Sequence, residues 1–545
     1  MTDLPTFSIE FINKAKIIED SSIYIIAKAT NTDGKQCLVK INNDIGVCEA
    51  VTAQTDSSDY SYALSDLQKN SDGNFVFNLT QMYSGRIYVS MKYPLKLYID
   101  SSNSEKIAIV DPNGFKTRDL NYYTIYDKFE FSYGDDGLYI NPTAVDFFAM
   151  PIRIYAQNST SSFKESGLTQ TRSDVLKSVE RSFSQFSSNE SSEEWSKLFL
   201  KFDESSSVLR IMAPGKAMVN TGPGSNPTFF TDYLSDKKFG INYIDAVWDY
   251  YKCNRVKIDC GILKDDPDFK DKLHKGYIFE GYVEGDKFTF SNTDDEFTLE
   301  ISKPDTQSFF AGGQGSFNFP NHTVGVIIVK ELTAAFISGL LPAKDGALLN
   351  LKYFIDKKSE GKFYQKNPNL KAEGGPWYDL YSKAFSSFEE VIYTFAYGDA
   401  LHEDGTLHCP NVNDIGKVSV TIGDMSGTEL PDPYTDSTKY TITVNLGENK
   451  LGAFYDLKYD DEVIKPGTPA TLSDVASPFE VEFNGIKESI YIKYPMVKPY
   501  NPVAEGIVIE VSKDDPSSAT VNFPGPPKGQ APEELNQDES YHEDL

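Results

Sequence analysis

Glu130 and Asp146 stand sixteen positions apart in the stretch Tyr126–Ile152, YDKFEFSYGDDGLYINPTAVDFFAMPI. Two carboxyl groups brought face to face can do acid–base chemistry: one hands a proton to a leaving group while the other takes one from water. On its own such a pair is a weak sign, because acids on alternating strands ordinarily face water. Other reactive sets are incomplete. Ala213-Pro214-Gly215-Lys216 lacks the spacing of a phosphate loop and reads as a turn with a structural lysine. Gly312-Gly313-Gln314-Gly315 lacks the strand–glycine–helix setting of a nucleotide site. The five histidines form no HExxH. His402 and His408, beside Asp399 and Cys409, have ligand chemistry, but a solvated loop is the simpler reading. No metal and no cofactor is therefore expected. Asp399 closes an apolar run and either lines a site or simply ends a strand.

The elements around the pair follow from its pattern. Lys128–Tyr133 alternates like a strand, Gly134-Asp135-Asp136-Gly137 is a turn, and Leu138 starts the return. In a simple hairpin Glu130 faces Asn141 and Asp146 lies five residues further on, too far at ~3.3 Å per residue. Asn141-Pro142 must then bend the chain back, because proline donates no hydrogen bond and restricts its predecessor. Thr143–Ile152 is expected to resume as extended chain.

Residues 7–100 carry alternating runs such as FSIEFIN, SIYIIAKAT and GRIYVSMKYPLKLYI, which predict an all-β sandwich or barrel. Ser159–Ser166 reads as a linker. Beyond it come helices at Arg172–Phe186, capped by Ser173, and at Tyr243–Tyr251, Val324–Leu341 and Trp377–Phe385, with strands between. After Thr428 six further strands are expected: 437–445, 451–458, 479–483, 489–494, 506–511 and 519–523. KESIYIKYPMVKPY there echoes SGRIYVSMKYPLKLY near the front, which chance between Tyr-rich strands explains as well as duplication. Residues 526–545 are polar, acidic and rich in Pro and Gly, and predict a mobile tail.

Bulk properties narrow the partners. With 545 residues the chain has room for about three domains at ~150 each. A formal charge of −28 disfavours nucleic acid and anionic membrane as partners, and is compatible with a neutral polymer. The apolar run Val324–Leu341 is interrupted by Lys330 and Glu331 and reads as a buried helix, not a membrane span. Met1–Lys16 has neither the basic nor the apolar region of a signal peptide. Of five cysteines, Cys37 with Cys48 and Cys253 with Cys260 are each spaced for a local bridge, and the odd count leaves one thiol over unless it pairs between chains.

Seven runs in order resemble glycoside hydrolase family 64, the endo-β-1,3-glucanases. They are SGRIYVSMKYPLKLYI (84–99), KFEFSYGDDGLYINPTAVDFFAMPI (128–152), VLRIMAPGKA (208–217), YIDAVWDYY (243–251), FFAGGQGSF (309–317), FYQKNPN (363–369) and VIYTFAYGDAL (391–401). The resemblance covers about residues 7–425. It implies a β-rich α+β fold: a thaumatin-like β-sandwich or barrel domain (1–160) packed on a mixed α/β domain (161–428). The chain adds a C-terminal β-sandwich module (435–525) outside the resemblance and the acidic tail. It also implies β-1,3-glucan as substrate, cleaved internally with inversion of configuration, with no cofactor and no nucleic-acid or membrane partner. Glu130 is assigned as general acid, Asp146 as general base, and Ser132, Tyr139 and Thr143 as sugar contacts. To serve as the acid Glu130 must keep a proton, and Phe129, Phe131, Tyr133 and the charge of Asp146 are expected to supply that environment. The family has Trp where this chain has Tyr139, and often a side-chain amide at Gly134. The resemblance implies an extracellular protein, although this chain shows no export signal. A non-catalytic β-glucan-binding or structural protein on the same scaffold is the alternative reading.

Overall fold

The computed structural model describes residues 5–430 apart from 103–106, 117–118, 120, 159–162, 185–188, 203–206, 220–223, 226, 235–241, 265–268, 270–272, 274–275, 293–296, 320–321, 371–377, 389–390 and 402–404, and beyond 430 the backbone of strands between 436 and 522. His402 and residues 526–545 lie outside the described residues. The chain divides into two compact units. One consists of Met1–Glu49, Tyr62–Pro94 and Ile125–Thr428, and the other of Ala50–Ser61, Leu95–Thr124 and Glu429–Leu545.

Alternation of apolar and polar residues builds the first unit's main sheet. Its strands are β1 (Phe7–Asn13), β2 (Ile23–Thr30), β3 (Gln36–Asn42), β4 (Ile45–Ala50), β5 (Phe75–Leu79), β6 (Met82–Met91), β7 (Tyr126–Gly134), β8 (Gly137–Pro142), β9 (Ile152–Asn158), β10 (Phe163–Gly167), β11 (Leu407–Cys409) and β12 (Ile415–Ile422). They run side by side as β10-β9-β12-β1-β5-β4-β3-β2-β6-β7-β8-β11, a nearly closed barrel. β1 pairs parallel with β12 and antiparallel with β5. Strand 163–167, read above as part of a linker, pairs antiparallel with β9. A linker would leave its backbone to water, whereas this segment finds a strand edge to satisfy it.

Aromatic side chains fill the interior. Phe11 stacks on Phe77 with centroids 5.9 Å apart and meets Phe129 at 6.3 Å, and Phe7 packs edge-on to Tyr133 at 4.9 Å. β1 and β7 are not neighbours in the sheet, so the Phe11–Phe129 and Phe7–Tyr133 contacts cross the barrel. Because side chains alternate along a strand, the odd-numbered residues of β7 point in and the even-numbered ones point out. Phe129, Phe131 and Tyr133 therefore do not surround Glu130 as expected. They are buried in the barrel on the opposite face.

Cys37 and Cys48 form a disulfide between β3 and β4, while Cys253, Cys260 and Cys409 are free thiols. A five-stranded sheet, ordered 298–302, 287–291, 278–284, 256–259 and 347–349, forms in the same unit. Helix Tyr243–Tyr251 buries Tyr243, Ile244, Val247, Trp248 and Tyr251, as its spacing predicts. Helix Thr323–Ile337 is shorter than the predicted run and is capped by His322, whose Nδ1 accepts the Gly325 N–H at 2.9 Å. No helix among the described residues is long and apolar enough to cross a membrane. The first predicted helix spans Arg172–Phe183, capped by Thr171 and not by Ser173. The last spans Leu380–Ser386. Wholly buried Arg172 donates to the carbonyls of Ala149, Val208 and Leu209. Burial beside Arg210 lowers it to about 9, so it keeps its charge near neutral pH.

In the second unit, Tyr98–Asp100 pairs with Ala108–Val110. Leu97 donates its N–H to Ser57, and Asn121 exchanges hydrogen bonds with the backbone of Lys96. Past residue 430 two sheets form. One orders 470–477, 436–445, 518–522 and 508–511; the other orders 462–464, 457–459, 479–483, 486–492 and 497–498. Strand Ala470–Ser477 was not expected, since its polar run ATLSDVAS shows little apolar alternation.

Candidate active site

Strands β6, β7, β8 and β11 carry two outward rows of side chains. In the first, Arg86, Glu130 and Asn141 face one another across β6, β7 and β8. In the second, Ser132, Tyr139 and His408 do so across β7, β8 and β11. The hairpin register is the predicted one, with Glu130 opposite Asn141. Arg86 Nε donates to Glu130 Oε1 at 3.0 Å.

The return of Asp146 differs from the expectation. β8 runs through Pro142, which still pairs with Phe129. The chain leaves the sheet only after it, and distant residues hold it there. Thr143 bridges Tyr393, and Ala144 donates to the Tyr393 carbonyl at 2.6 Å. Ala213 N–H donates to the Asp146 carbonyl at 2.9 Å. Phe147 and Phe148 pair with Met212 and Ile211. Asp127 Oδ2 then accepts the N–H groups of Ala149 at 2.7 Å and Met150 at 3.0 Å. Only Phe147–Phe148 of the predicted extended run before Ile152 forms a strand.

This path lays Asp146 against Lys128, two residues before Glu130 on the same face of β7. Lys128 Nζ meets Asp146 Oδ2 at 2.5 Å, and Lys216 Nζ meets Oδ1 at 3.2 Å. The side chain of Lys128 is 4% exposed and that of Asp146 25%. Lys128 also lies over the Phe147 ring at 4.6 Å. Burial alone would lift the Asp146 carboxyl. Lys128, Lys216 and Arg86 outweigh it and hold the group well below the usual carboxylate range.

The remaining predicted contacts separate. Ser132 and Tyr139 stand side by side on the outer face. Tyr139 is 38% exposed, and one ring face lies on His408 with centroids 3.9 Å apart. Thr143 is buried, with Oγ1 accepting the Val145 N–H at 3.4 Å, so it does not join that face. The side-chain space at Gly134 belongs to Tyr83, since a Cβ there would meet its ring carbon at 2.5 Å. The Tyr83 hydroxyl accepts from Gln81 Nε2 at 2.6 Å. Asp399 pairs with Lys330. Among the described residues no cluster of His, Cys, Asp and Glu is placed to hold a metal. The sequence reading missed Arg86, Lys128 and Lys216. Period-two alternation places Lys128 beside Glu130, and that signal was available. Lys216 had none, because its partner is seventy residues away.

Asp127 positions the site from beneath. Burial pushes its carboxyl up to about 6, against the N–H groups of Ala149 and Met150 and the charge and N–H of Lys128. Its folded value lies above the unfolded one (~3.9). Its contribution to stability is therefore present in full below pH ~4 and lost as pH rises through about 6. Asp127→Asn is expected to flatten that loss in melting scans between pH 4 and 7. Asp127→Ala, which strands two N–H groups, should cost ~2–4 kcal/mol in urea denaturation.

The family model described as β-1,3-glucanase, glycoside hydrolase family 64, matches residues 5–422. A glucan endo-1,3-beta-glucosidase of Arthrobacter sp. (strain YCWD3) is 23% identical over 359 residues, covering 65% of this chain and 55% of that protein. The chain thus spans about half the length of that curated relative. In fold it is similar to a β-1,3-glucanase domain of Clostridium beijerinckii, with a TM-score of 0.55 and 21% identity over 78% of this chain and 100% of that one. It is also similar to a laminaripentaose-producing β-1,3-glucanase in complex with laminaritetraose, with a TM-score of 0.57 and 19% identity over 77% and 99%. The match of a single family model to most of the chain shows that the chain belongs to glycoside hydrolase family 64.

Proposed function

We propose that this chain hydrolyses β-1,3-glucan internally with inversion of configuration, Glu130 acting as general acid and Asp146 as general base. The observation that carries the assignment is the double lysine contact of Asp146. A carboxyl held ionised cannot donate a proton but can accept one, which suits Asp146 to the base role, and the family resemblance gives the acid role to Glu130. An inverting pair must leave room for a water between its two carboxyls, ~6.5–9.5 Å apart. In the reaction Glu130 gives its proton to the glycosidic oxygen as the bond to the anomeric carbon breaks. Asp146 takes a proton from the water whose oxygen bonds that carbon from the opposite side.

Ser132 and the open face of Tyr139 are the sugar contacts of this reading. Thr143 supports the loop instead. Tyr139→Ala is expected to raise KM for laminarin about three- to tenfold with kcat little changed, the worth of one stacking contact at ~0.5–1.5 kcal/mol. The laminaritetraose held by one fold relative supports the choice of substrate. The same reading takes the barrel as a thaumatin-like domain that reaches beyond 1–160 to strands 163–167, 407–409 and 415–422, the rest of 161–428 as its α/β partner, and the strands of 435–525 as a β-sandwich that binds glucan or mediates assembly.

A reducing-sugar assay on laminarin tests it. Wild type should release new ends and Glu130→Gln should not. If both are inactive yet both bind laminarin, the chain is a glucan-binding protein.

A further inference from the structure

The run Ala213-Pro214-Gly215-Lys216 is organised around Asp146. Ala213 N–H holds the Asp146 carbonyl, and Lys216 lies on the helix Pro214–Val219 that starts there. Gly215 lets this helix press on the neighbouring segment, since a Cβ would stand 2.3 Å from the Phe310 carbonyl oxygen. The two Asp146 oxygens are held differently. Oδ2 takes Lys128, which is buried, and Oδ1 takes Lys216, whose side chain is 35% exposed. Oδ1 is thus the oxygen whose lysine partner is open to solvent.

We propose that Lys216 is a positioning residue for the base: by holding Asp146 Oδ1 it orients the remaining lone pair of that oxygen toward the attacking water and sets how readily it takes a proton. The inference rests on the reading of Asp146 as base. Other groups around Asp146 are Lys128 on β7, with Glu130 two residues further along that strand, Arg86 on β6, Arg210 over the Phe147 ring, and Tyr381, whose hydroxyl donates to the Ala144 carbonyl. Lys216 is the member of this set that combines a direct contact to the carboxylate with substantial solvent access.

The experiment compares wild type with Lys216→Met, Lys216→Gln and Lys216→Arg. Two quantities are read: the titration of the Asp146 carboxyl by carbon NMR after aspartate labelling, assigned with Asp146→Asn, and the acidic limb of kcat/KM on laminarin. Loss of a cation at 3.2 Å should raise the proton affinity of Asp146 about tenfold or more, moving both the midpoint and the limb upward together. Lys216→Arg should leave both in place. A midpoint that stays put in folded Lys216→Met and Lys216→Gln overturns the role of Lys216 and leaves the functional reading intact. A midpoint that moves while the limb does not overturns Asp146 as base, and the proposed role with it.

Discussion

Glu130→Gln is expected to lower kcat on laminarin by about 10²–10⁴-fold with KM within a few-fold of wild type. The amide keeps the shape of the side chain and the carbonyl that Arg86 Nε reaches at 3.0 Å, but carries no acidic proton. Asp146→Asn should lose activity on the same scale, because an amide accepts no proton from water. Acid and base act in one step, so the double variant should be little worse than either single one. A substrate with a good leaving group separates the two roles. It should restore Glu130→Gln substantially, since such a group leaves without a proton, and should not restore Asp146→Asn. Restoration of Asp146→Asn alone would exchange the two assignments.

Lys128→Met is the second large effect. The substitution keeps the apolar stem over Phe147 and removes the charge facing Asp146 Oδ2. Removing one partner of a buried ion pair typically costs 3–5 kcal/mol. Asp146 keeps a quarter of its surface in water and retains Lys216, so a loss of ~2–3 kcal/mol in urea denaturation is expected here. Asp146→Asn alone strands the buried ammonium of Lys128 and should cost a similar amount. The double variant leaves no stranded charge at this contact and should recover a large part of the loss. Losses that simply add would mean the two groups are not coupled.

The local half of the site was legible and the distant half was not. The register that sets Glu130 opposite Asn141 follows from two alternating runs around Gly134–Gly137, because strand pairing across a short turn is decided by neighbours in sequence. Alternation also places Phe129, Phe131 and Tyr133 away from Glu130, and that consequence was overlooked. The bend that returns Asp146 was read into Asn141-Pro142, whereas Tyr393, Ala213 and Asp127 hold it. Those partners lie up to about 250 residues away, and a single sequence carries no trace of which distant backbone groups will meet. Lys216 failed to stand out for the same reason. The missed strand 163–167 shows a related limit: a short polar run becomes a strand when a neighbouring edge offers hydrogen bonds, whatever its own pattern. Thr171 rather than Ser173 caps the first long helix because two hydroxyl residues flank the start of one apolar periodicity, and propensity does not choose between them.

Inversion at the anomeric carbon is the centre of the account, since it alone requires the two carboxyls to stand apart with a water between them. Proton NMR of laminarin hydrolysis, followed from the first minutes before mutarotation, reads it directly. The α-anomer of the new reducing end should appear first and the β-anomer only later, as the sugar equilibrates. Initial release of the β-anomer would mean that Asp146 attacks carbon instead of activating water, and would contradict the mechanism.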